Sequence, residues 1–156
     1  MTNSNALIRS LGQRLGLELK LGSAQQCAVS FDGDLSLMFL ADESDELTAV
    51  ARVSDVGQGP GAEEITERAL RCNFAIQALG GHMLSVDPND NSLVLTANWN
   101  SASCDAATFY ADVEWFVNLL SALRADLNQV VQDALEGRLR ESIQASSLAS
   151  HLIQRV

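Results

Sequence analysis

The sequence predicts an α+β fold in the order α-β-β-β-α-β-β-α, with helices packed on a mostly antiparallel sheet and a C-terminal helical extension. Three observations carry this reading. Apolar residues recur at period two in five short runs, and at three- and four-residue spacing in three longer stretches. Turn chemistry stands between these runs rather than inside them. The 156 residues, 47% of them hydrophobic, suffice for one core and bury about two-thirds of the surface that the unfolded chain would expose. A single domain over residues 1–136 is expected, with a helical or flexible tail over 137–156.

Leu7, Ile8, Leu11 and Leu15 make one apolar stripe of the first helix, with Ser4 or Asn5 as its N-cap and Gly16 as its stop. The period then changes. Cys27, Val29 and Phe31 alternate with small or polar residues, Asp32-Gly33 supplies a hairpin turn, and Leu35, Leu37 and Phe39 resume the alternation. A charged loop from Asp42 to Glu46 leads into a third strand, in which Leu47, Ala49, Ala51 and Val53 face one way.

Gly57-Gln58-Gly59-Pro60-Gly61 ends that strand. Pro60, followed by Glu63 and Glu64, suits a helix start, because the helix dipole favours acidic side chains in the first turn. Ile65, Ala69, Leu70, Phe74 and Ile76 read as the buried face, and Gly80-Gly81 as the stop. Leu84 and Val86 alternate up to Asp87, Pro88-Asn89-Asp90-Asn91 turns the chain, and Leu93, Leu95, Ala97 and Trp99 complete a second hairpin. From Asp105 onward Val113, Phe116, Leu120, Leu123, Leu127, Val130 and Ala134 form the seam of the longest helix. Gly137 is expected to interrupt it, leaving Leu139, Ile143, Leu148 and Leu152 on a weaker helix. Five strands in one sheet leave unpaired edges, which a homodimer joined along the second helix and the following strand would protect.

Twenty acidic against ten basic residues give a net charge of −10. Nucleic acid and anionic membranes repel such a chain and are excluded as partners. No apolar run approaches the roughly 18 residues that span a bilayer. Between Asp32 and Glu67 ten acidic residues face Arg52 alone, so this segment carries −9 of the total. Both a solvated face and a surface for a basic partner fit that concentration. Three widely spaced cysteines without a Cys-x-x-Cys pair, and an N-terminus without a secretory pattern, point to a reducing compartment, the cytoplasm.

Catalytic constellations are missing. Neither His82 nor His151 stands at a nucleophile-base-orienter spacing, and neither has ligand residues at the short intervals that converge on a metal. Cys27 and Cys72 lie among apolar residues, and Cys104 has no basic neighbour to lower its pKa. Gly57-x-Gly59-x-x-Ala62 matches a dinucleotide-binding pattern formally. Pro60 removes an amide donor from that loop, and Glu63 and Glu64 put negative charge where a pyrophosphate must sit. The strands before it form a hairpin meander rather than parallel crossovers, so a turn-and-cap reading is preferred. No enzyme activity, metal or cofactor is expected.

Leu15-Gly16-Leu17, Phe31-Asp32-Gly33-Asp34-Leu35-Ser36-Leu37, Ala51-x-Val53, the helix with Leu70 and Asn73-Phe74, and Gly80-Gly81-His82-Met83-Leu84-Ser85-Val86-Asp87 occur in one order. In that order they resemble the class I, CesT-like chaperones of bacterial type III secretion. The resemblance covers about Leu7 to Leu123. It implies a cytosolic, non-enzymatic homodimer that binds type III effector proteins and delivers them to the export apparatus, with the secretion ATPase as a further partner. Family members are commonly shorter, and here some thirty residues follow Leu123. The alternative is an acidic regulatory adaptor of the secretion system that binds a basic regulator or gate protein.

A chaperone that keeps a client extended needs apolar grooves and free sheet edges in a rigid frame. Leu7, Leu11, Leu35, Leu37, Phe39, Leu93 and Leu95 are the candidates for the effector surface. Leu70, Phe74, Met83 and Leu84 are those for the dimer contact. Apolar periodicity alone leaves ordinary core open for every one of them.

Overall fold

The computed structural model describes residues 3–31, 34–56, 61–78 and 81–153. Its elements follow the expected order: α1 (Asn3–Leu15), β1 (Gln26–Phe31), β2 (Leu35–Ala41), β3 (Glu46–Asp55), α2 (Ala62–Ala78), β4 (His82–Asp87), β5 (Ser92–Asn100) and α3 (Ala106–Ile153). The Asp32-Gly33 turn, residues 57–60 of the glycine loop and Gly80 lie outside the described residues, as do the side chains of Ile143, Leu148, His151 and Leu152.

The strands form one sheet in the order β1-β2-β3-β5-β4, every neighbouring pair antiparallel. The second hairpin therefore docks through its later strand. β5 has the longer inward row, Leu93, Leu95, Ala97 and Trp99, all buried, and takes the central place where both of its edges are paired. The shorter β4 is left at the sheet margin. There α2 shields it, and the Leu84 amide donates to the Asn73 side-chain oxygen at 2.8 Å, satisfying one edge donor without a further strand.

Register puts the alternating apolar residues of every strand on one face. Cys27 pairs with Phe39, Phe39 with Ala49, Ala49 with Ala97, and Leu47 with Trp99; all are buried. The opposite face carries Ala28, Ser36, Met38, Arg52 and Asn98, all exposed. On the covered side Phe109 stands edge-on to Trp99, with ring centroids 5.1 Å apart, and meets Phe39 at 6.1 Å. Phe109 lies one turn before the seam read from the sequence and is as deeply buried as any residue in it.

α1 begins at Asn3, and its cap comes from elsewhere in the chain. The Asp45 carboxylate, in the turn between β2 and β3, accepts from the amides of Asn3 and Ser4 at 3.0 and 3.1 Å. Ser4, expected to be the cap itself, lies inside the first turn. Its buried hydroxyl reaches Asp45 Oδ1 at 2.8 Å and Ser101 Oγ at 2.6 Å. Ser101 in turn donates to the Asp45 carbonyl, so one polar knot fastens α1, the β2–β3 turn and the end of β5. The other expected cap, Asn5, instead accepts from the Leu21 amide.

At its far end α1 stops at Gly16, as expected, with φ +69°. The Leu17 amide donates back to the Gly12 carbonyl at 2.8 Å, closing the helix through a left-handed residue that glycine adopts without strain. A Cβ at Gly12 would lie 2.6 Å from the Leu17 carbonyl, so the chain can fold back over this turn only if that position is bare.

Two expectations are corrected on the helices. On α2, Ile65, Ala69 and Ile76 are buried, but Leu70 and Phe74 are exposed. At 100° per residue Ala69 and Ile76 lie within about 40° of Ile65, whereas Leu70 and Phe74 lie roughly 140° and 180° round the helix. They belong to its outer face. α3 runs unbroken through Gly137 to Ile153, because one glycine in a helix interior costs only about 1 kcal/mol relative to alanine. Among the described residues its last fully buried one is Leu127, and the helix spans roughly 70 Å. Arg68 of α2 donates twice to Asp126 of α3, both at 2.8 Å, which fixes the two helices in register.

Candidate functional site

Six of the seven candidate effector-binding residues, Leu7, Leu11, Leu37, Phe39, Leu93 and Leu95, are buried inside the chain. Their apolar surface is largely covered by the packing of helices on the sheet, and of the six only Leu93 and Leu11 line a cleft described below. Leu35 is half-buried. The reason is register: their inward direction on β2, β5 and α1 is the direction in which the helical layer lies. Of the candidate dimer residues, Leu70, Phe74 and Met83 are 66%, 82% and 45% exposed, and Leu84 is buried beneath α2.

Two open clefts are lined by apolar side chains, and Phe74 and Met83 are exposed outside both. The first lies between α2 and β4, a cleft of about 160 Å³ with the exposed Leu70 and Val86 at its rim. Val56, Ala69, Leu84 and Leu93 form its floor, so a shallow apolar groove with a hydrophobic rim lies open beside the sheet margin. The second lies between α1, β1 and α3, a cleft of similar volume lined by Leu11, Leu15, Phe31, Tyr110, Val113 and Val117. Arg14 sits above the Tyr110 ring at 4.6 Å and gives that cleft a charged margin. Periodicity signalled these residues as apolar; only the packing tells which remain open.

Elsewhere carboxylates hold turns together. Asp42 accepts from the amides of Ser44 and Glu46, Asp90 from Ser92, and Asp105 from Ala107 and Thr108 at the start of α3. Such donors favour the ionised form. Hydrogen bonds from Ser44, Ser4, Ser92, Thr108 and Arg68 hold Asp42, Asp45, Asp90, Asp105 and Asp126, respectively, below the usual carboxylate range. Part of the acidic excess between Asp32 and Glu67 is thus turn and cap chemistry.

Burial pushes the thiols of Cys27, Cys72 and Cys104 up, opposite to what a nucleophilic cysteine requires. Among the described residues no group of three His, Cys, Asp or Glu side chains converges as a metal site. His82 packs in an aromatic cluster, its ring 4.4 Å from Trp115 and 5.7 Å from Phe116. The strand before the glycine loop is antiparallel to both of its neighbours, whereas dinucleotide-binding folds have parallel strands joined by crossovers. Among the described residues no helix is long and apolar enough to cross a membrane.

This arrangement, a five-stranded antiparallel sheet with helices on one face, recurs in solved structures. One is the ExsC–ExsE complex, with a TM-score of 0.66, 20% identity, and 79% of this chain and 92% of that chain covered. A second is the HopA1–SchA chaperone–effector complex, at 0.63 and 14% over 79% of this chain and 94% of that one. A third is the Yersinia pestis type III secretion chaperone SycH in complex with a fragment of YscM2, at 0.58 and 18% over 77% and 98%. At these identities the likeness is one of fold. No curated protein matches the chain in sequence. The profile of the Tir chaperone protein (CesT) family, however, matches residues 6–124, from α1 through the buried half of α3, and over that length the chain belongs to this family.

Proposed function

We propose that the protein is a cytoplasmic type III secretion chaperone that binds secreted effector proteins, keeps their chaperone-binding segments extended, and delivers them to the export apparatus. The observation that carries this is the pair of apolar clefts left open on a rigid α+β frame in a chain that belongs to the CesT family. An extended segment binds such clefts through alternate apolar side chains, and the frame keeps the clefts ready-made. In this reading the client surface includes the α1–α3 cleft. The exposed α2 and β4 residues Leu70, Phe74 and Met83 form the contact of a homodimer, and the secretion ATPase is a further partner. The length and the long α3 make the chain resemble the broad-specificity effector chaperone HpaB of plant-pathogen systems. Residues 137–156 are then an accessory segment outside the client-binding domain.

Co-expression with the N-terminal region of a secreted effector tests the function. A stable complex that survives gel filtration is expected. A folded chain that captures no secreted protein from the cells that make it would overturn the reading.

A further inference from the structure

Beyond the family's apolar clefts, the region between the β4–β5 corner and α3 holds a cavity of different chemistry. It has a volume of about 340 Å³ and is lined by His82, Asn98, Trp99, Asp112 and Trp115. The chain has two tryptophans, and both line this cavity. Its existence follows from the fold: α2 shields β4 at Leu84, and at His82, where the strand begins, the gap between sheet and α3 is closed only by aromatic rings.

The walls are held in place. The Trp99 indole N–H donates to Asp112 Oδ2 at 3.1 Å, which orients the carboxylate. His82 stands edge-on against Trp115, and Trp115 remains 37% exposed. Among the described residues no Lys or Arg forms an ion pair with Asp112. Arg52 is engaged with Asp55 and Asp90, Arg68 with Asp126, Arg71 with Glu67, Arg140 with Glu136, and Arg124 with the Asp34 carbonyl. Aromatic rings beside one oriented carboxylate match a planar cation that stacks and donates in a fork, which is a guanidinium rather than an ammonium. Arg14 over Tyr110 is the same pairing within the chain.

We propose that this cavity is a subsite for an arginine side chain of the bound client polypeptide. The client is the source because β5 runs on through Asn98 and Trp99 to Asn100, past the His82–Ala97 pair where β4 begins, so an extended segment laid along that stretch of strand lies against the cavity. The subsite rests on the chaperone reading and adds to it a charge requirement: a chain of net charge −10 selects clients by a basic residue as well as by apolar ones.

Because both tryptophans line the cavity, intrinsic fluorescence of the full-length protein reports on it directly. Titration with Nα-acetyl-arginine amide is expected to give a saturable change that the uncharged isostere Nα-acetyl-citrulline amide does not. Asp112→Asn, which keeps an acceptor for Trp99, should weaken arginine binding about five-fold, the size of an ion pair that is partly open to water. An equal response to citrulline or to the lysine analogue, or unchanged binding by Asp112→Asn, would overturn the proposal. So would a fluorescence change that follows protein concentration without ligand, which would place a second copy in the cavity. Trp115→Ala, verified as folded by circular dichroism, should abolish the arginine-specific signal. Effector capture is measured separately. Undiminished capture by Asp112→Asn removes the subsite and leaves the chaperone reading standing, whereas failure of capture by the unmutated chain overturns that reading while the titration still decides the cavity.

Discussion

Asp45 fastens distant parts of this fold. Its carboxylate caps α1, its carbonyl receives Ser101, and both of these contacts join segments far apart in sequence. Its pKa is lowered chiefly by hydrogen bonds from Ser4, so the native state binds a proton here less readily than the unfolded chain does. The stabilisation is complete above the unfolded value, about 3.9, and is lost as pH falls through the lower folded value. Asp42, Asp90, Asp105 and Asp126 shift in the same direction. Thermal melts should therefore lose stability steeply below about pH 4. Asp45→Asn should lower the Tm at neutral pH and flatten that acid limb, and an unchanged acid limb would contradict the cap. None of this was legible in the sequence, where Asp45 is one acid in a charged loop and Ser4 looks like the helix's own cap. A cap supplied from forty residues away has no local signature.

At the scale of elements, periodicity identified each helix and strand, and the structure added direction. Leu37 and Phe39 were legible as one face of β2, but not that this face meets α3. Phe39→Ala should cost about 3–5 kcal/mol of stability in urea unfolding, as removal of a buried aromatic ring does. A variant of unchanged stability that has lost its client would restore Phe39 to the binding surface. Gly12→Ala tests the end of α1. Alanine gains about 1 kcal/mol in helix propensity, but its Cβ collides with the Leu17 carbonyl, and overpacking of this kind costs about 1–3 kcal/mol. Net destabilisation is expected in the same unfolding measurement. Leu70 and Phe74, read as both buried face and dimer contact, could not be both; helical geometry puts them away from Ile65, on the exposed face of α2.

For the molecule as a whole, the exposed row on α2 and β4 makes association the property to measure. Phe74→Glu should leave the monomer's circular dichroism melt nearly unchanged, since that ring touches solvent, and should shift sedimentation from dimer to monomer. A dimer that persists would move the interface elsewhere. Removal of residues 137–156 should leave the melting temperature within a few degrees of the full chain, because among the described residues of α3 the last fully buried one is Leu127. The sequence by itself determined the order and type of the elements, the antiparallel hairpins and the acidic character. Those properties live in spacing and composition, which are local. Only the tertiary structure decided that β5 lies between β3 and β4, that α3 continues through Gly137, and which apolar residues close the core and which line a cleft. These depend on which surfaces meet across long loops, and apolar spacing is the same whether a side chain packs against its own chain or awaits another.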